Sequence, residues 1–227
     1  MEGTLQNAHR EVVRLAIVGA DGETIVDSVR VKEGAFKFSI PAETIERYVQ
    51  RDLPMMYRLI LSYDNQMTTM ARCGEHLKIN ADARNLAGTY RISGGTEAVL
   101  FGQLDSALSV FVRQNEKLYD IYQQQLDDDS VRADIECKYM NLVQQHRQFL
   151  DDFIQQHPHN MAAYIAFYQS YNRREFFSET EDSALLKSIT NALQKQYPEH
   201  PYLEKMKLRL EVLELQEQQR KEYNDTH

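Results

Sequence analysis

The chain has 227 residues, 42% of them apolar and 26% charged, a formal net charge of −8, no tryptophan and two cysteines. That length supports one or two domains with proper cores, and the balance excludes wholesale disorder. An acidic chain without clustered Lys and Arg fits neither nucleic acid nor an anionic membrane surface, and no apolar run approaches the roughly 20 residues of a membrane helix.

The charge is unevenly placed. Residues 1–95 carry 12 Lys and Arg against 12 Asp and Glu, while residues 96–227 carry 14 against 22, so the whole acidic excess lies in the second half. Glycine divides the chain at the same point, since eight of the nine lie at or before Gly95 and only Gly102 follows. Met1–Arg10 lacks the basic region and apolar stretch of a signal peptide, so the expectation is a cytoplasmic protein or one read without its export signal.

The first half reads as strands. Val13, Leu15 and Ile17 alternate with polar or small neighbours, and Gly19–Gly22 turns the chain. Val29 and Val31, then Phe36, Phe38 and Ile40, alternate on either side of Lys32-Glu33-Gly34, which predicts an antiparallel hairpin over 25–40 with Gly34 supplying a positive φ. Pro41–Gln50 predicts a short helix with proline in its first turn. Tyr57, Leu59 and Leu61 resume the alternation. Asp64-Asn65 turns into Gln66–Ala71, Cys73–Glu75 is the next turn, and Leu77, Ile79 and Ala81 precede a last strand with Tyr90 and Ile92. Seven or eight short strands with regular turn signals predict an antiparallel β-sandwich over residues 1–95.

From Thr96 the period changes to that of helices. Leu100, Leu104, Leu108 and Phe111 form one stripe of a helix running to about Leu126. Asp127–Ser130 breaks it and supplies caps for a second helix with Tyr139, Leu142, Val143, His146, Phe149, Leu150, Phe153 and Ile154 on one face. His157-Pro158 ends that helix. Asn160 then caps a third with Tyr164, Ile165 and Tyr168 inward. Ser178–Glu181 has capping-box spacing ahead of Leu185, Leu186, Ile189 and Leu193. Tyr197-Pro198 stops this fourth helix and Pro201 opens the last, whose Leu203, Met206, Leu210 and Leu213 make a heptad-like seam that, with the polar end of the chain after it, is the expected homodimer contact. The two proline stops are 40 residues apart, short of the three or so repeats a solenoid needs. The reading is therefore α+β with segregated domains: an antiparallel β-sandwich over 1–95, then an up-and-down bundle of about five helices over 96–227.

No residue pattern predicts a catalytic, cofactor or metal site. Gly-x-Ser-x-Gly, phosphate-loop and dinucleotide fingerprints are all missing. Cys73 and Cys137 make no Cys-x-x-Cys and read as idle thiols, with a single disulfide as the alternative; Arg72 beside Cys73 is the one activating neighbour, and no base or resolving cysteine stands near it in sequence. His146 lies on an apolar stripe and is expected in the core or at a domain interface, while His157 and His159 are expected as helix-end residues. Asp127–Asp129 lacks the alternating ligands of a calcium loop and is expected to cap. Nine of the thirteen tyrosines lie beyond residue 96, and Tyr164, Phe167, Tyr168 and Tyr171 together form the candidate partner-binding face.

Several segments carry a family resemblance. Gly3–Asn7, Val26–Val31 with Gly34–Phe38, Met56–Leu59, Gly74-Glu75 with Leu77–Ala81, Tyr90–Gly95 and the helix end Phe153–Pro158 together resemble the N-terminal region of Bacteroidetes-type thioredoxin-like envelope proteins. In that family a β-sandwich domain of unknown function and a helical segment precede a thioredoxin domain. The resemblance implies an envelope or periplasmic, lipoprotein-type setting and a role in positioning, dimerisation or client binding, with protein partners and a homodimer among them. The family's redox centre, Trp-Cys-x-x-Cys, has no counterpart in this sequence, so no catalytic residue is carried over. The expectation is a non-enzymatic accessory module trimmed at both ends, or a stand-alone interaction protein whose helical domain docks a partner; an unrecognised hydrolase would need carboxylates and histidines gathered from both domains.

Overall fold

The first hundred residues hold eight strands in the computed structural model, which describes residues 1–19, 22–39, 41, 43–44, 52–124 and 128–226. They are β1 (Glu2–Gln6), β2 (Val12–Val18), β3 (Glu23–Arg30), β4 (Ala35–Lys37), β5 (Met55–Ser62), β6 (Asn65–Ala71), β7 (Lys78–Asp82) and β8 (Arg91–Ser93). One four-stranded sheet has the order β3-β2-β5-β6 and is antiparallel throughout; the other has the order β4-β1-β7-β8. The predicted inward rows are buried: Val13, Leu15 and Ile17 on β2, Tyr57 and Leu59 on β5, and Leu77, Ile79 and Ala81 around β7. Burying a side chain of this size stabilises the fold by about 1.5–3 kcal/mol.

Two features depart from the expectation. β1 was not legible as a strand, since Leu5 is its single large apolar residue, yet it lies between β4 and β7 and pairs with β7 in parallel. Gly3 sits opposite Ile79 there, and a Cβ on it would stand 1.7 Å from the Ile79 carbonyl oxygen, so the close approach needs glycine. The predicted hairpin over 25–40 is corrected to a corner. Its turn exists: Lys32 and Ala35 exchange both backbone hydrogen bonds at 2.9 Å, across Glu33 (φ 52) and Gly34 (φ 76). The two strands then part into different sheets, β3 onto β2 and β4 onto β1. Backbone pairing decides this, because the Val31 N–H donates to the Glu11 carbonyl and prolongs the β2 pairing, whereas the Phe38 N–H donates to Met1.

The short helix predicted over 41–50 lies mostly outside the described residues; Glu43 and Thr44 are helical. One helical turn unforeseen in the sequence, α1 (Leu86–Thr89), precedes β8, with the Asn85 side chain accepting from the Gly88 N–H at 2.9 Å.

Thr96 begins the first long helix, α2 (Thr96–Gln124), and the chain's two compact units, Met1–Val110 and Phe111–His227, divide within it. The second unit continues with α3 (Asp129–Gln156), α4 (Met161–Phe167), β9 (Ser170–Tyr171), β10 (Arg174–Glu175), α5 (Ser183–Gln196) and α6 (Pro201–Thr226). Helix ends follow the punctuation. Asp128 caps α3, accepting from the Ser130 hydroxyl at 2.7 Å and from the Val131 and Ser130 N–H groups at 3.2 and 3.0 Å, which together hold its carboxyl below the usual range. His157 and Tyr197 are the C-caps of α3 and α5, and Pro201 opens α6.

The third helix differs from its prediction. α4 is seven residues long and buries Met161, Ala162, Ala163, Ala166 and Phe167, whereas Tyr164, Ile165 and Tyr168 are not on the buried face. After Tyr168 the buried Gln169 side chain bonds His146, and the chain leaves the helix for a two-strand hairpin turned by Asn172 (φ 49) and Arg173 (φ 65). The seam Leu203, Met206, Leu210 and Leu213 is buried inside the unit, where α6 packs on α5. It is therefore spent within the chain and is not the dimer face the sequence suggested.

Candidate partner-binding site

The site is assembled around the C-terminal end of α4. Arg147 on α3 is the fixing point: its guanidinium donates to the Phe176 carbonyl, pairs with Asp182, and lies 4.5 Å over the Phe177 ring. Asp182 in turn accepts from the Ser178 N–H at 2.8 Å and precedes α5. Phe177 stacks on Phe167 at 5.5 Å with nearly parallel planes. The segment 176–182 is thus pinned against α3 and α4.

Tyr168 is then held from three sides. Its ring lies 5.2 Å edge-on to Phe167 and 5.0 Å from Tyr164, and its hydroxyl donates to Glu179 Oε1 at 3.0 Å. The other Glu179 oxygen accepts from Arg209 Nε of α6 at 2.5 Å. Tyr164 stacks on Tyr202 at 6.0 Å, and Tyr202 packs on the fully buried His200. Burial first, then the bond to Glu179, pushes the Tyr168 hydroxyl above its ordinary value; burial and the Glu179 charge do the same for Tyr164. Both phenols are neutral donors throughout the physiological range. Beside Tyr168 opens a cavity of about 380 Å³, lined by Ser170, Glu175, Phe177, Glu179 and Arg209. It offers an aromatic wall, a guanidinium and several hydroxyls, which suits hydrogen-bonded recognition of a polar chain.

Of the four predicted residues, three are brought together. Tyr164, Phe167 and Tyr168 share the end of α4, but Phe167 is 1% exposed and acts as the support on which the 38%-exposed Tyr168 rests. Tyr171 belongs elsewhere, edge-on to Phe111 at 5.6 Å in the core of the unit. Glu179, Tyr202 and Arg209 were missed, because only the fold carries them to Tyr168.

The remaining candidates have structural surroundings. His146 is buried among Phe111, Phe149 and Phe176, with Nε2 2.7 Å from Gln169 Oε1, and burial lowers its basicity. Cys73 and Cys137 are free thiols: the first, half-buried, lines a cavity of about 660 Å³ in the first unit with Lys37, Tyr57 and Glu75, and the second is exposed on α3. Among the described residues no three His, Cys, Asp or Glu side chains gather as metal ligands. The carboxylate that burial raises most was invisible in the sequence. Asp105 on α2 accepts from the Tyr90 hydroxyl at 2.7 Å, and burial pushes its pKa up to about 6 against the opposing pull of that bond.

No described helix is long and apolar enough to cross a membrane. Comparison with protein-family models, with curated proteins and with solved structures finds no match to this chain.

Proposed function

We propose that this chain is a non-catalytic protein-binding module whose helical unit docks a polypeptide partner at the Tyr168 site. The observation that carries the reading is the preorganised Tyr168–Glu179–Arg209 array: tyrosine and arginine dominate binding hot spots, and here both are already fixed by Phe167 and Glu179. Its setting is the accessory region of a thioredoxin-like envelope protein, as the sequence resemblance implies. The frame of the encoding gene beyond the codon for His227 tests that setting, since a following Trp-Cys-x-x-Cys domain makes the chain its front half.

The docking role is tested with a photo-cross-linking residue substituted at Tyr168, or at Met140 on the exposed face of α3 as control, in cell-envelope extracts. Discrete adducts at the first position, lost on Arg209→Ala, are expected; identical patterns at both positions defeat the reading. Insulin reduction by the isolated chain that depends on Cys73 or Cys137 defeats it as well.

A further inference from the structure

Helix α6 carries two apolar stripes, and the fold uses one. Leu203, Met206, Leu210 and Leu213 face inward. On the opposite side of the helix, at the spacing four then three, Leu208, Val212 and Leu215 are 64%, 38% and 58% exposed. At 100° per residue the two stripes lie on opposite faces, so the outer one has no role in holding α6 to α5.

We propose that this outer stripe is a homodimer seam, in which α6 of a second copy packs in parallel on Leu208, Val212 and Leu215. The heptad places Leu208 and Leu215 at d and Val212 at a, and a β-branched a residue with leucine at d favours two parallel strands. The flanking charges select the same partner and direction. Glu204 falls at g and Arg209 at the following e, the pair that meets between parallel helices, and the two-fold axis makes that contact twice. Glu211 meets Gln216 of the second copy in the next heptad. An antiparallel arrangement instead sets e against e and g against g, bringing arginine to arginine and glutamate to glutamate. Arg209 serves Glu179 of its own chain through Nε, and in the dimer its terminal nitrogens would bond the second copy's carboxylate. Lys205, at the preceding a position, faces its equivalent across the axis and fixes the register by ending the apolar seam there.

The seam is short, so association is concentration-dependent, with a dissociation constant on the order of 10–100 µM. It rests on the outer face of α6 and stands whether or not the Tyr168 cavity binds a polypeptide.

Sedimentation equilibrium of the full chain from about 5 to 500 µM is expected to show monomer–dimer exchange, weakened by added salt. The double variant Leu208→Lys/Leu215→Lys, which leaves the inner stripe intact, is expected to be at least tenfold weaker with an unchanged circular dichroism spectrum. A chain that stays monomeric across the range, or a dimer indifferent to the two lysines, overturns the proposal. Direction is read by oxidation in a Cys73→Ser/Cys137→Ser background. Leu208→Cys is expected to cross-link to itself, as is Leu215→Cys. Cross-linking only when the two variants are mixed overturns the parallel seam.

Discussion

Asp105→Asn is the sharpest test of the first unit, because it removes one ionisation without removing the hydrogen bond that surrounds it. In the folded chain the carboxyl titrates at about 6, against an ordinary value of 3.8. A raised carboxyl pKa means the folded state holds a proton that the unfolded chain has already released. Stability is therefore fully present below the unfolded value, falls by about 1 kcal/mol per pH unit between pH 4 and 6, and levels off above. Integrated from pH 4 to pH 8, the loss assigned to this single group is about 2.5 kcal/mol. Asparagine keeps an oxygen to accept from the Tyr90 hydroxyl and has nothing to titrate. Its amide nitrogen needs a partner in a mostly buried place, a cost of about 1–2 kcal/mol at every pH. The variant is accordingly less stable than the parent at pH 4 and more stable at pH 8. Urea unfolding of both proteins at half-unit intervals measures the difference, and other titrating groups cancel because the two chains share them. A difference that stays constant within about 0.5 kcal/mol over that range refutes the reasoning.

His146 carries the opposite sign: burial lowers its folded pKa, so the unfolded chain takes up the proton first and stability falls as pH drops through 6.5, a slope that His146→Phe is expected to flatten in the same urea titration. Arg147→Ala is expected to cost about 2 kcal/mol, since it takes the guanidinium from Asp182 and the Phe176 carbonyl and leaves Asp182 only the Ser178 N–H, and Arg147→Lys to recover less than half because an ammonium neither forks nor lies flat on Phe177. Gly3→Ala is expected to cost about 3 kcal/mol or more in chemical denaturation, and an unchanged midpoint refutes the close approach of β1 to β7.

What the sequence made legible was local. Alternation located β2, β5 and β7, and proline located the ends of α3 and α5 and the start of α6, because a missing N–H or a fixed φ acts within a residue or two. Partner choice was not local. Nothing in Val26–Phe38 distinguishes a hairpin from a corner, since both use the same positive-φ turn; hydrogen bonds to Glu11 and Met1 decide between them. The hairpin after α4 was hidden for a similar reason. Asn172 and Arg173 take left-handed conformations without glycine to announce them, and the buried Gln169 Oε1 that follows the helix accepts from His146 on another helix. Tyr168 was visible as a member of an aromatic cluster, whereas the carboxylate and guanidinium that orient it come from residues far along the chain.

Helix α6 shows how far a periodicity can be trusted. Both of its apolar rows obey helical spacing, and the sequence gives no rule for which one turns inward. The inner row was the natural choice for a dimer seam, being longer and headed by proline. That length is also the reason the fold claims it: Leu203 to Leu213 spans three turns, enough to hold the helix along α5, whose Leu186, Ile189 and Leu193 need the same cover. A row of three residues cannot secure a helix of 26, but with charges at the flanking positions it can discriminate a partner. The division of labour between the two rows follows from their sizes: the inner stripe gives stability, and in the proposed dimer the outer one gives recognition.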